Sequence, residues 1–302
     1  MTQSVFAVAA AGLLVPLQLA VGGQQPPPPE RASEARAINL YASVVDSKGV
    51  PVPDLAVEDF TVREDGVARE VLKVGPATEP LHIALLVDDS EAATGAIPYI
   101  RDGLTAFIEA MAGKAEISII TVGERPTSVT PYTSSTGTLK EGVGRVFARS
   151  GAGAYLTEAI RDASRGLAKR DAARPVIVAV TIEGVEFSNL FANQVLEELD
   201  SSRATLHVIG LGTSTPRMSD EMRNRNLVLV EGSDRTGGRR DTLVTPMAIP
   251  SRLKQLAAEL SNQYVVTYSR PDTLIPPERL AVSARRPDVT VRAPSRAPGT
   301  RR

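Results

Sequence analysis

The sequence predicts an α/β fold: a doubly wound, mostly parallel sheet, with a small antiparallel β module built from the N-terminal flank and open to pairing with the C-terminal one. Three observations point there. HIALLV (82–87), PVIVAVTI (175–182) and TLHVIGLG (205–212) are nearly continuous apolar runs, as strands covered on both faces must be. The segments between them place apolar residues every three or four positions, the period of a helix with one buried stripe. Ahead of them, short alternating runs are punctuated by turn formers, the pattern of antiparallel strands.

The elements follow in order. Residues 1–23 are expected to be an export signal or an N-terminal anchor. Val5 to Val21 is apolar apart from Gln18, is broken by Pro16, and leads to Ala20 and Gly22 at the positions of a cleavage site. Residues 1–4 lack the usual Lys or Arg, and about 17 apolar residues is the lower limit for spanning a bilayer. No cysteine follows, so a lipoprotein anchor is excluded. Residues 24–37 contain four consecutive prolines and read as an extended spacer. Residues 38–78 read as the small β module, with turns at Asp46 to Gly49 and Glu64 to Gly66 where glycine supplies a positive φ. About forty residues make too small a core to stand alone, so this module should dock on its neighbour.

Residues 79–270 read as the α/β body. Ile97, Ile100, Leu104, Phe107, Ile108 and Met111 make one helical stripe, and EISIITV (116–122) a strand. Helices are expected near 139–148, through Leu156, Ile160, Ala163 and Leu167, through Phe191, Val195, Leu196 and Leu199, and through Leu253, Leu256, Ala257 and Leu260. Residues 212–245 are polar and read as a mobile insertion with a short helix at 220–230. YVVTY (264–268) reads as an edge or closing strand. Residues 271–302 are a β extension and tail, in which RLAVSA and VTVRA alternate like a hairpin.

Composition removes several function classes. The 34 basic and 35 acidic residues balance to −1, so no global field favours nucleic acid or anionic lipid. Without cysteine there are no disulfides, thiolate metal sites or cysteine nucleophiles. His82 and His207 both sit in apolar runs and read as core, which leaves no histidine for a catalytic triad. GxSxG, HExxH, GxxxxGK[ST] and GxGxxG are all missing, and SGAGAY (150–155) lacks a third glycine. Neither a cofactor nor a small-molecule substrate is therefore expected. The enzymatic alternative is acid–base hydrolysis by Asp88, Asp89, Glu183 and Glu186.

Doubly wound sheets bind their ligands beyond the carboxyl ends of the strands. There VDDSEAA (87–93) resembles the DxSxS loop of von Willebrand factor type A domains, SGAGAYLTEAI (150–160) their GGTxLYxAI segment, and TIEG (181–184) their TDG loop. Residues 51–71, 235–240 and 256–271 are similar to the flanking segments of the bacterial exported members, so the likeness spans about 38–293. The resemblance implies a non-catalytic, exported protein, periplasmic or extracellular, that binds a protein partner. It also implies five ligand positions for a metal-ion-dependent adhesion site. Asp88 and Ser90 match, whereas Ala92, Ala154 and Glu183 stand in place of Ser, Thr and Asp. The expectation is recognition without the usual ion, on a surface holding Asp89, Glu91, Gly153, Tyr155, Glu186 and Phe187, with the two aromatics as anchors. The alternatives are a Mg²⁺ or Ca²⁺ site on Asp88, Ser90 and Glu183, and a structural envelope component.

Overall fold

The computed structural model describes residues 1–2, 35–212, 218–272 and 277–296, in a chain that divides into two units, 1–34 and 35–302. The expected export signal and nearly all of the proline-rich spacer lie outside the described residues. Among those described, no helix is long and apolar enough to cross a membrane.

The second unit begins with β1 (Ala35–Asp46), β2 (Phe60–Glu64), β3 (Val67–Arg69) and β4 (Val71–Pro76). Asp65 (φ 48°) and Gly66 (φ 83°) form the tight turn between β2 and β3, as the sequence predicts. The α/β body follows: β5 (Leu81–Val87), α1 (Ile97–Ala110), β6 (Ala115–Thr121), β7 (Thr127–Thr133), α2 (Thr136–Gly144), α3 (Leu156–Lys169), β8 (Arg174–Ile182), α4 (Ala192–Ser202), β9 (Thr205–Leu211), α5 (Asp220–Thr236), β10 (Arg240–Leu243) and α6 (Ile249–Ser261). β11 (Tyr264–Pro271), β12 (Leu280–Ala284) and β13 (Val289–Arg292) close the chain.

The six-stranded sheet runs in the order β10-β9-β8-β5-β6-β7, and every strand but β7 is parallel to its neighbour. Pro131 cannot donate to a ladder, which suits β7 to the sheet edge. Alternate residues of β5 divide the core. Ile83, Leu85 and Val87 pack among residues of α1, α2 and α6, and Ala84 and Leu86 among those of α3, α4 and α5. All nine residues of β8 are buried, which accounts for its unbroken apolar run. The predicted α/β class with its mostly parallel sheet is the observed one.

Three expectations are corrected. Residues 220–236 are not part of a mobile insertion. Ser219 accepts a hydrogen bond from the Met222 amide at 3.2 Å and Gly237 ends the helix in the left-handed region, so α5 runs seventeen residues and β10 pairs with β9 behind it. The helix at 139–148 stops at Gly144, and Arg101 Nε donates to the Val146 carbonyl at 2.8 Å instead. Finally, β11 is no edge: it lies between β1 and β4 in a four-stranded antiparallel sheet, β13-β1-β11-β4.

β12 and β13 do not pair with each other either. β12 joins β2, and β13 joins β1, so the C-terminal strands complete the two sheets that the N-terminal flank begins. Leu40, Val44, Phe60, Val62, Tyr264, Val266, Tyr268 and Leu280 fill the space between those sheets. Arg174 binds this module to the body, donating to the carbonyls of Glu79 and Leu260 and to Gln263 Oε1.

Of the two histidines, His82 is half-buried. His207 is buried, its Nδ1 accepts from the Arg239 amide at 3.0 Å, and burial with the nearby charges of Arg292 and Arg239 pushes its pKa down to about 3.

Candidate functional site

Loops after β5, β6 and β8 meet the α2–α3 connection at the carboxyl edge of the parallel sheet. Asp88, at the end of β5, is fully buried and turned back on the protein. Its Oδ1 accepts from the Ser90 amide at 3.0 Å, and its Oδ2 from the Ile182 amide at 2.9 Å and Thr181 Oγ1 at 3.3 Å. Asp89 is buried as well, with Oδ1 on the Gly123 amide at 2.5 Å and Oδ2 on Arg149 Nε at 2.9 Å. The two acids therefore satisfy backbone amides where strands end, and Asp89 also pairs with Arg149. Ser90 is buried and makes no side-chain cap to the short 3₁₀ turn that follows.

The loops are tied to one another. Ala154 bridges Gly123 on one side and Glu186 on the other; its amide donates to Val185 at 2.8 Å and its carbonyl accepts from Phe187 at 2.8 Å. Glu91 donates its amide to the Ala152 carbonyl and accepts from the Gly151 amide on Oε2. Gly153 lies under the Phe187 ring, where a Cβ would come within 2.6 Å of two ring carbons. The Tyr155 and Phe187 rings stand 5.9 Å apart, and with Arg125 and Glu124 they line a shallow open groove.

The structure therefore revises the predicted surface. Glu91 and Phe187 are exposed and Tyr155 is half-buried, whereas Asp89, Gly153 and Glu186 are buried. Polarity suggested exposure for Asp89 and Glu186, but unpaired loop amides drew both inward. Glu186 Oε1 accepts from the Thr157 amide in the first turn of α3 at 3.4 Å, and its Oε2 is buried without a partner. Burial raises its pKa to about 7, opposed by Ser188, the charge of Arg225 and the Thr157 amide. A carboxyl with a raised folded-state pKa contributes stability that is fully present below the unfolded value of 4.5 and lost as pH rises through about 7. That loss amounts to about 3 kcal/mol. Glu186→Gln is expected to remove it, leaving the variant more stable than wild type at pH 8 and level with it at pH 4.5. Urea unfolding across this range checks the point, because the opposite slope of His207 cancels in the comparison, and parallel curves would refute it.

Glu183, at the end of β8, is held by Arg225 of α5. Arg225 is fully buried, donates Nη2 to Glu183 Oε2 at 2.7 Å and Nη1 to the Gly184 carbonyl at 3.3 Å. Glu183 Oε1 is buried without a partner. Mg²⁺ requires a near-ideal octahedron of oxygens at about 2.0–2.1 Å, and Ca²⁺ six to eight looser ones. Here two of the five positions are alanine, both oxygens of Asp88 are engaged by the protein, and an arginine holds Glu183. Among the described residues no three acidic or histidine side chains converge as ligands. The residues present do not fit the ion.

Sequence reasoning missed Arg225 and Arg149, which fix the acids, and most of the exposed apolar rim. Phe147, Val185, Phe187, Phe191, Val244 and Met247 each leave about half or more of their surface in solvent. Val185, Phe187 and Phe191 follow β8, Val244 and Met247 follow β10, and Phe147 lies two residues from Arg149.

Compared with known proteins, residues 83–183 match the family model for the von Willebrand factor type A domain. No curated protein matches the chain. Among solved structures it is similar to a von Willebrand factor type A protein from Catenulispora acidiphila, at 12% identity over 86% of this chain and 72% of that one, with a TM-score of 0.50. It is likewise similar to proximal thread matrix protein 1 of the mussel byssus, at 12% identity over 66% and 50% of the two chains, with a TM-score of 0.51. An aerotolerance-related membrane protein of Bacteroides fragilis aligns at 14% identity over 59% and 98%, with a TM-score of 0.44. At these identities the likeness speaks to fold alone.

Proposed function

We propose, from the premise that this chain carries a von Willebrand factor type A domain over residues 83–183, that it is a non-catalytic protein-binding module acting outside the cytoplasm and recognising its partner without a metal ion. One observation carries the reading: the apolar rim at the strand ends. In a chain only 4% aromatic, Phe60 and Phe107 are buried while Phe147, Phe187 and Phe191 are exposed close to the same loops. Scattered exposed apolar residues are ordinary, but a group of them on one face is what interfaces are built from. Against catalysis stands the engagement of the acids: both oxygens of Asp88 and of Asp89 are held by the protein's own donors, and Arg225 holds Glu183. Export rests on the apolar run from Val5 to Val21 with small residues after it, and on the lack of cysteine.

The test uses the full chain with a C-terminal tag, isolated from the fraction outside the cytoplasm. Its bound protein is expected to be retained in EDTA and to fall at least ~10-fold for the pair Phe187→Ser and Phe191→Ser, as for central interface aromatics. Capture that needs Mg²⁺, or that both substitutions leave unchanged, would overturn the reading. Retention of the tagged chain inside the cytoplasm would overturn its export.

A further inference from the structure

We propose that Glu186 is a proton-operated latch of the strand-end face: while uncharged, its buried side chain ties the loop that presents Val185 and Phe187 to α3, and loss of its proton releases that loop. The inference rests on the binding role proposed for this face and deepens it, because it names a condition that regulates that role.

Glu186 stands between two exposed anchors of the rim, Val185 and Phe187, yet is itself buried. The backbone here is fastened to the α2–α3 connection by two hydrogen bonds, from the Ala154 amide to the Val185 carbonyl and from the Phe187 amide to the Ala154 carbonyl, each at 2.8 Å. Two side chains tie the same loop to the first turn of α3: Glu186 Oε1 accepts from the Thr157 amide at 3.4 Å, and Ser188 Oγ from the Glu158 amide at 3.2 Å. The first of these bonds is long, and Glu186 Oε2 and the Thr157 hydroxyl are both buried without a partner. A carboxyl so placed is tolerated as a neutral group and costly as an anion, because a buried charge needs close donors on both oxygens. The surrounding groups supply little of that. From α5 the charge of Arg225 reaches Glu186, but its guanidinium donates to Glu183 and to the Gly184 carbonyl. Glu183 at the end of β8 and Glu158 in the first turn of α3 are themselves acids, and Tyr155 before α3 carries no positive charge. Ser188, Arg225 and the Thr157 amide favour the anion, but burial outweighs them and raises the pKa to about 7. Opening the loop returns the anion to water. The latch therefore holds at pH 4.5 and below and loosens as pH rises from there to about 7. A partner that needs Val185 and Phe187 in place is bound more tightly in acid than at neutral pH.

Amide hydrogen exchange on the whole chain tests the latch. Rates at the Ala154 and Phe187 amides are compared between wild type and Glu186→Gln at pH 4.5, 6 and 7.5, so that the intrinsic pH dependence of exchange cancels. Wild type is expected to exchange within about 2-fold of the variant at pH 4.5 and at least ~10-fold faster at pH 7.5. The excess should be unchanged by low urea, because a loop opening exposes little surface, whereas amides of β8 that exchange through global unfolding respond to urea. Equal rates in the two proteins at every pH, or an excess that grows with urea in step with the β8 amides, would each overturn the proposal. Should Glu186→Gln fail to fold, the same two amides of wild type decide once their intrinsic rates are divided out, and protection that does not fall between pH 4.5 and 7.5 counts against the latch. These rates need no protein partner, so a failed pull-down and a failed latch remain distinguishable.

Discussion

Gly238→Ala is expected to destabilise the protein by more than about 3 kcal/mol, the upper range for forcing atoms into a packed region. A Cβ at this position would stand 1.8 Å from the Leu206 carbonyl oxygen and 2.6 Å from its carbon. The clash is with backbone, and that backbone is pinned: the Leu206 amide donates to Thr236 Oγ1 at 2.9 Å, and the Val208 amide to the Arg239 carbonyl at 2.8 Å. The Gly238 amide itself closes α5 on the Ser233 carbonyl at 2.8 Å, six residues spanned as in a Schellman ending. Relief would require β9 to part from the turn into β10, and with it the strand that presents Val244 and Met247. Gly166→Ala is the control, because its site in α3 is open and alanine is the better helix former by about 1 kcal/mol. Urea unfolding of both variants checks the pair; a Gly238→Ala loss below that of an ordinary surface substitution would contradict the geometry.

Glu64→Ala should cost about 3–5 kcal/mol, the range for removing one member of a buried charged network. Glu64 is buried at the end of β2. Its Oε1 accepts from Tyr268 at 2.6 Å and Arg270 Nε at 2.6 Å, both on β11, and its Oε2 from Arg69 Nε of β3 at 2.9 Å. Burial pushes its pKa up, but the hydrogen bonds from Arg270 and Tyr268 outweigh that and hold the carboxyl below its ordinary range. Its contribution is therefore present above the ordinary carboxylate pKa and is lost as pH falls through the lowered one. Truncation strands two guanidinium groups and a hydroxyl between the small sheets. Glu64→Gln keeps the shape without the charge and should fall between wild type and alanine. Unfolding at neutral pH orders the three proteins; an alanine variant as stable as glutamine would refute the network.

How much of this was visible in the residues alone depends on how local the cause was. β8 and α1 were legible because one strand buried on both faces and one helix with a clean stripe each announce themselves within a dozen residues. α5 was not, because its inner face reads Arg225, Val228, Leu229, Gly232, Ser233 and Thr236, mostly polar or small. The period was present, but hydrophobicity was the wrong property to follow. A lone arginine in register with Val228, Leu229 and Gly232 is itself a sign of a buried ion pair, and would have led to Glu183. The partners of β11 were hidden for another reason: Tyr264 to Pro271 pairs with residues 188 to 236 positions earlier, on β4 and β1, a choice that no local pattern records. At the site, motif likeness singled out loops that the fold does bring together, those holding Asp88, Ala154 and Glu183. It could not say that Asp89 and Glu186 turn inward, since that follows from which loop amides lack a partner.

The bridges from Ala154 to Gly123 and to Glu186 make three loops behave as one short ladder, locked further by the Phe187 ring over Gly153. A face ordered in this way before any encounter has little loop entropy left to surrender on association. A protein docking on this face, as proposed, would meet a rigid template, with docking limited by orientation and diffusion instead of by rearrangement.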